Sequence, residues 1–167
     1  MKEKQIKAII AKKARKYGLA PVLLEAVAMQ EFVKLYGWTT EGINRVHADG
    51  TSFGMFGLRE STSVAEYTDR KGSPETNTLE GQAEVAAWYL GKRIPQMLEH
   101  YKLEKTISNV ITAYNAGISR AISGEIPTIT QGYIEFVESY TAEKKSSKIP
   151  LAILAVISLI FGALWWN

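Results

Sequence analysis

Every Asp, Glu, Lys and Arg of this 167-residue chain lies before Ile149, and the remainder runs IPLAILAVISLIFGALWWN. Ile149 to Trp166 is a run of 18 positions without a charge. As a helix rising ~1.5 Å per residue it spans roughly 27 Å, about the hydrocarbon thickness of a bilayer. Lys144, Lys145 and Lys148 precede the run and Trp165 and Trp166 close it, which matches the basic flank and interfacial aromatic anchor of a membrane span. A buried terminal core helix or an amphipathic dimer helix is the competing reading, but a core helix normally keeps a polar face. The expected organisation is therefore a folded domain over 1–142, a short basic linker over 143–148 and a single-pass transmembrane anchor over 149–166.

The folded part has few options for chemistry. The chain has no cysteine, which removes disulfide staples, thiolate nucleophiles and zinc–cysteine sites. His47 and His100 are its only histidines, so neither a metal centre nor a Ser-His triad is expected, and no cofactor is implied. A net charge of +3 is too mild to predict a nucleic-acid partner. The leading segment MKEKQIKAIIAKKARKYG has no h-region of a signal sequence; its apolar positions Ile6, Ile9, Ile10, Ala14 and Tyr17 are at helical spacing instead. With lysines ahead of the anchor, the positive-inside tendency holds the domain on the cytoplasmic side or its equivalent.

Punctuation along the chain predicts helices. Gly18 suits the C-cap of a first helix and Pro21 the first turn of a second, running to about Leu35. Residues 37–58 hold five glycines and little periodicity; the Asp49-Gly50 turn and the apolar positions Phe53, Met55 and Leu58 predict a small ribbon or an extended loop. Ser63 and Glu66 suggest a capping box. Asn77 is the expected cap of a long helix from about Leu79, and Pro95 is expected to kink or divide that helix. Thr106 starts a further helix that Gly117 stops, and a last one begins near Thr130. The fold class is all-α (α-rich α+β), with one glycine-rich insertion after the second helix.

One residue breaks this pattern. In PVLLEAVAMQEFVKLYG, Leu24, Val27 and Ala28 build an apolar stripe, and Glu31 falls on it. A carboxyl in apolar surroundings stays protonated to higher pH, which is what a general acid for glycosidic cleavage requires. On spacing alone, a helix-end Glu that reaches solvent or pairs with Lys34 or Arg59 is the preferred reading. TAYNAGISRA adds a tyrosine and an asparagine at a helix end. Tyr114 is able to bridge a carboxyl or a sugar hydroxyl, and Asn115 offers both donor and acceptor to an acetamido group.

The order Glu31, SFGMFGL, NTLEG, AYNAG, GYIEFVESY resembles the soluble lytic transglycosylase catalytic domain, whose fold is similar to goose-type lysozyme. The likeness covers about residues 6–140. Tyr17-Gly18 and Pro21 match the family's approach to the catalytic helix. Gly54-Met55-Phe56-Gly57 takes the place of its cleft-lining Gly-Leu-Met-Gln, and Asn77 with Gly81 matches its Asn–x–x–x–Gly pair. AYNAG is complete, and the terminal tyrosine helix matches Tyr133 to Tyr140. Two positions depart from the family: Phe32 stands where Ser usually follows the catalytic Glu, and Gly57 replaces the glutamine.

The resemblance implies cleavage of the β-1,4 bond between N-acetylmuramic acid and N-acetylglucosamine in peptidoglycan, with closure of a 1,6-anhydro ring. It makes Glu31 the catalytic residue and Gly54, Met55, Phe56, Tyr114, Asn115 and Tyr133 the substrate-binding set. Such a reaction needs one carboxyl, whereas ordinary glycosidases use two. Asp49 is the candidate second carboxylate for a muramidase alternative, although a turn role is preferred for it. A non-catalytic peptidoglycan-binding module is the other alternative. His47 reads as a surface-loop histidine, Trp38 as a sugar-stacking or packing residue, and Trp88, Tyr89 and Tyr140 as core. The implied partners are glycan strands and a lipid bilayer. Because peptidoglycan lies outside the cytoplasmic membrane, the expected location is the internal membrane of a phage virion, among other virion proteins, with the bacterial inner membrane as alternative.

Overall fold

The computed structural model describes residues 1–146. The expected anchor, and the linker beyond residue 146, lie outside the described residues. Among the described residues no helix is long and apolar enough to cross a membrane.

The described chain is mostly helical, in agreement with the all-α expectation. Helix α1 (Glu3–Lys16) buries Ile6, Ile10 and Ala14 along one face. Glu3 lies in its first turn and Lys13, Arg15 and Lys16 in its last, the arrangement the helix dipole favours. Gly18, at φ +71°, turns the chain out of it, and the Leu19 amide closes back on the Ala14 carbonyl at 2.9 Å. Pro21 opens α2 (Pro21–Ala28), where its missing N–H costs nothing. The helix then widens into a π-helical turn, Met29–Val33, before ending as α3 (Lys34–Tyr36).

The glycine-rich insertion forms a two-stranded antiparallel ribbon, β1 (Ser52–Phe53) with β2 (Leu58–Arg59), pairing Ser52 with Arg59 and Phe53 with Leu58. Val46 bridges to Phe53 on its other side. A second π-helical turn, Glu60–Val64, leads into α4 (Ala65–Lys71). The expected capping box is absent there: Ser63 instead accepts the Arg59 amide at 3.1 Å, because the chain enters the helix straight from the strand.

Helix α5 (Leu79–Trp88) is buried on nearly every side, the signature of a central helix. Its cap is Thr78 rather than Asn77; the Thr78 hydroxyl accepts the Gly81 amide at 3.0 Å. A third π-helical turn, Tyr89–Arg93, separates α5 from α6 (Ile94–His100). Pro95 thus sits in the first turn of a new helix segment, where it is tolerated. Helix α7 (Ile107–Asn115) is capped by Thr106 as expected. A short α8 (Ile118–Ser123), not anticipated, precedes α9 (Thr128–Ser146). Helix α1 packs on α5 and α2, α2 on α9, and α9 on α7, so the ends of α2 and α7 meet the ribbon around one opening.

Among the buried polar side chains, Gln82 and Glu84 tie elements together. Gln82 is fully buried and accepts the Met55 amide at 2.8 Å. Its amide nitrogen donates to the Ile43 and Thr76 carbonyls, each at 2.9 Å. One α5 side chain therefore ties the insertion to the central helix. Glu84 is held by Lys13 at 2.7 Å, by Lys16 and Tyr17, and by Tyr67 at 3.3 Å.

Candidate active site

The π-helical turn sets the position of Glu31. Leu24, Val27 and Ala28 are fully buried, and the stripe they form leads to the floor of a cleft. Glu31, Asp49, Ser52, Gly57, Arg59, Thr62, Ser63, Tyr89 and residues 113–117 line this cleft, whose free space out to its open mouth is about 730 Å³. Its walls are rich in hydroxyl, amide and charged groups, a lining suited to a polyhydroxylated ligand.

Burial pushes the Glu31 carboxyl above its ordinary pKa. The Tyr133 hydroxyl and the charges of His47 and Arg59 counter that rise, and Asp49 adds to it. Tyr133 is buried and its hydroxyl completes no hydrogen bond of good geometry among the described residues, yet it stands close enough to act on the carboxyl. Gly57 faces the same carboxyl. A Cβ built there lies 2.6 Å from Glu31 Oε2, so a side chain would displace the carboxyl, and the backbone at φ +60° favours glycine.

Asp49 lines the same cleft, but its oxygens are occupied. Oδ1 accepts the amides of Thr51 and Ser52 at 3.0 and 2.9 Å and the Ser52 hydroxyl at 2.8 Å. Oδ2 accepts the Thr51 hydroxyl at 3.1 Å and Arg59 Nη2 at 3.2 Å. Backbone hydrogen bonds from Ser52 and Thr51 hold its pKa well below the usual carboxylate range. These donors fill the lone-pair sites of a carboxylate, which number about four. Asp49 is an ionised turn residue with no free oxygen for a water.

On the far wall, the Tyr114 hydroxyl donates to the Phe56 carbonyl, and burial pushes it well above its usual pKa. It is a fixed donor rather than an acid. Asn115 Oδ1 accepts the Thr130 hydroxyl at 2.7 Å, which leaves its amide nitrogen without a hydrogen bond among the described residues. Glu31, Asp49, Tyr114 and Asn115 therefore share one cleft.

Four expected ligand contacts are corrected. Met55 and Phe56 are fully buried: these side chains pack in the core, and only their backbone serves the site, through Gln82 and Tyr114. Gly54 is likewise structural, since a Cβ there would lie 2.3 Å from Gln82 Oε1. Tyr133 acts on Glu31 from beneath, not on a ligand. Comparison of the chain with protein-family models, with curated proteins and with solved structures finds no match.

Other readings change as well. His47 is not a surface-loop residue; its side chain is 16% exposed and its Nδ1 lies 3.6 Å from Glu31 Oε2. The hint was its position beside Asp49 in the loop that meets the helix end carrying Glu31. Tyr89 is buried in the core as expected, and it also lines the cleft, its ring 6.2 Å from that of Tyr114. Trp38 lies outside the cleft with Lys7 over its ring. Phe32 is buried against Tyr36, with ring centroids 4.8 Å apart; a serine would leave that contact empty. Among the described residues no cluster of side chains is arranged to hold a metal ion.

Proposed function

We propose that this chain is a peptidoglycan lytic transglycosylase of goose-lysozyme-like fold. It cuts the β-1,4 bond between N-acetylmuramic acid and N-acetylglucosamine and leaves a 1,6-anhydro end. One observation carries this reading: the Glu31 carboxyl, its pKa raised by burial, lies at the floor of a polar cleft, beside a second carboxyl whose oxygens already accept hydrogen bonds.

Glu31 gives its proton to the glycosidic oxygen as the C1–O bond breaks. The carboxylate so formed takes the proton of the muramyl C6 hydroxyl, and O6 closes on C1. No external water enters, and the proton returns to Glu31. Positive charge at C1 is matched by the carboxylate forming below it. Tyr114 and Tyr133 hold the carboxyl's surroundings dry, and the Asn115 amide nitrogen suits the carbonyl of an acetamido group. A muramidase is the second reading, because Asp49 lines the same cleft; it requires Asp49 to exchange one of its donors for a water.

Residues 149–166 would fix the enzyme in a bilayer. The lysines ahead of them put the domain on the cytoplasmic side, away from peptidoglycan, which favours the internal membrane of a virion used for local wall penetration. Finding the protein on the surface of uninfected bacteria, and not in purified particles, would reject that location.

The activity is tested with the full chain in mild detergent on a peptidoglycan suspension. Loss of the general acid in Glu31→Gln lowers clearing by roughly 10²–10⁴-fold. Mass spectrometry of the released fragments reads the chemistry: anhydro-muramyl ends support transglycosylation, and reducing muramic ends support the muramidase. Equal clearing by Glu31→Gln rejects Glu31 as the acid, and no clearing by either protein favours a binding module.

A further inference from the structure

His47 is held on three sides by the ribbon. Its amide donates to the Ser52 carbonyl at 2.8 Å and its carbonyl accepts the Gly50 amide at 3.0 Å. Its ring Nε2 lies 2.8 Å from the Gly54 carbonyl oxygen. A carbonyl only accepts, so Nε2 carries the hydrogen, and in the neutral ring Nδ1 presents a lone pair. That lone pair faces Glu31 Oε2 at 3.6 Å, and the two side chains are only 16% and 17% exposed. Two lone pairs facing each other out of water repel unless a proton lies between them. The contact becomes a hydrogen bond when either group closes by about 0.4 Å. Gly57 leaves the room for it, since it places no Cβ against that carboxyl oxygen.

We propose that His47 is the positioning residue of the site, sharing one proton with Glu31 and holding the carboxyl toward the cleft. The pair exists as neutral acid and neutral imidazole, or as carboxylate and imidazolium, with one proton between the two side chains. With the first arrangement Glu31 is ready to donate. With the second it is anchored but unable to do so. The other groups facing the carboxyl do not take this part. Tyr133 from α9 and Tyr114 from α7 stay protonated, Asp49 is saturated, and Arg59 from β2 is paired with Asp49 at 3.2 Å.

The role rests on Glu31 being the acid, but the coupling is measurable without any substrate. The full chain in detergent micelles, carrying 13C at glutamate carboxyls and histidine rings, is titrated by NMR. The Glu31 carboxyl and the His47 ring are expected to inflect at shared midpoints, and the shared inflection of the ring disappears in Glu31→Gln. In His47→Gln the side-chain amide still donates to the Gly54 carbonyl, so the ribbon is retained, while the Glu31 midpoint moves upward. On peptidoglycan, kcat/KM of that variant falls on the order of tenfold to a hundredfold with KM little changed. Independent titrations in the wild type, or an unmoved Glu31 midpoint in His47→Gln, overturn the proposal. Coupled titrations in a protein that clears no peptidoglycan uphold the pair and reject the transglycosylase instead.

Discussion

Gly57 leaves no room for a Cβ beside the carboxyl of Glu31, and Gly57→Ala tests that fit. The added Cβ would sit 2.6 Å from Oε2 and 2.8 Å from Cδ, where ordinary contact begins at 3.4 Å. The carboxyl must therefore retreat by ~0.8 Å, close to the 1 Å misplacement that costs a catalytic group about 10²-fold. That loss equals ~2.7 kcal/mol of transition-state stabilisation. The backbone adds a separate penalty, because alanine at φ +60° is strained by about 1–2 kcal/mol. Gly124→Ala separates the two effects. Gly124 has φ +72°, nothing within 4 Å of a built Cβ, and no place in the cleft. Urea unfolding is expected to register a similar stability loss for both variants. Release of muropeptides falls about 10²-fold in Gly57→Ala alone, with little change in KM. Full activity in Gly57→Ala, or an equal loss in Gly124→Ala, would refute the claim that the carboxyl works from the position described.

Stability has its own predictions. Burial pushes the Glu84 carboxyl up, but hydrogen bonds from Lys13, Lys16 and Tyr17 overcome it and hold the pKa down to about 2. Taken from 4.5, that is about 3 kcal/mol as an upper bound; Lys16 is 57% exposed, so screening reduces the expected loss in Glu84→Gln to about 2 kcal/mol at pH 7. This contribution is present above pH ~4.5 and fades as pH falls toward 2, and an undiminished difference between the two proteins at pH 2.5 would contradict it. Glu31 has the opposite sign. Its folded pKa is raised by burial, so its stabilising share is lost as pH rises past the ordinary value of 4.5 and through the raised one. Glu31→Gln is expected to melt above the wild type at pH 8 and level with it at pH 4. Tyr133→Phe removes a buried hydroxyl with no complete hydrogen bond, so stability holds within about 0.5 kcal/mol. The Glu31 pKa then rises further, and the alkaline limb of the activity profile moves to higher pH; a limb that moves to lower pH would contradict it.

What was legible in the chain follows from range. Helices α1, α2 and α7 were readable because periodicity, Gly18, Pro21 and Thr106 act within a turn or two. The Asp49-Gly50 turn was readable for the same reason, and its side-chain bonds to Thr51 and Ser52 leave Asp49 committed to that turn. Facing directions were not readable across the ribbon. A Gly-x-x-Gly segment gives no sign that Met55 and Phe56 turn inward while their backbone meets Gln82 and Tyr114. The π-helical turns were equally hidden, since no residue type marks the extra residue that re-aims Glu31. His47 was misread because its partner is on another element, and a loop position by itself says nothing of what the loop packs against.

Glu31 is the case where local pattern and site chemistry are one feature. Leu24, Val27 and Ala28 make the helix fold against α9 and α1, and burial raises the carboxyl at the end of their stripe. A helix that buried this face less completely would pack less tightly and also hand the cleft an ionised carboxylate unable to donate. Substitutions such as Val27→Thr therefore act on two links at once. They weaken the core by an amount that urea unfolding reads, and by letting polarity into the stripe they lower the Glu31 pKa, which an NMR titration reads. An acid whose midpoint stayed raised in that variant would mean that burial at the cleft floor, rather than the stripe beneath it, keeps the proton on Glu31.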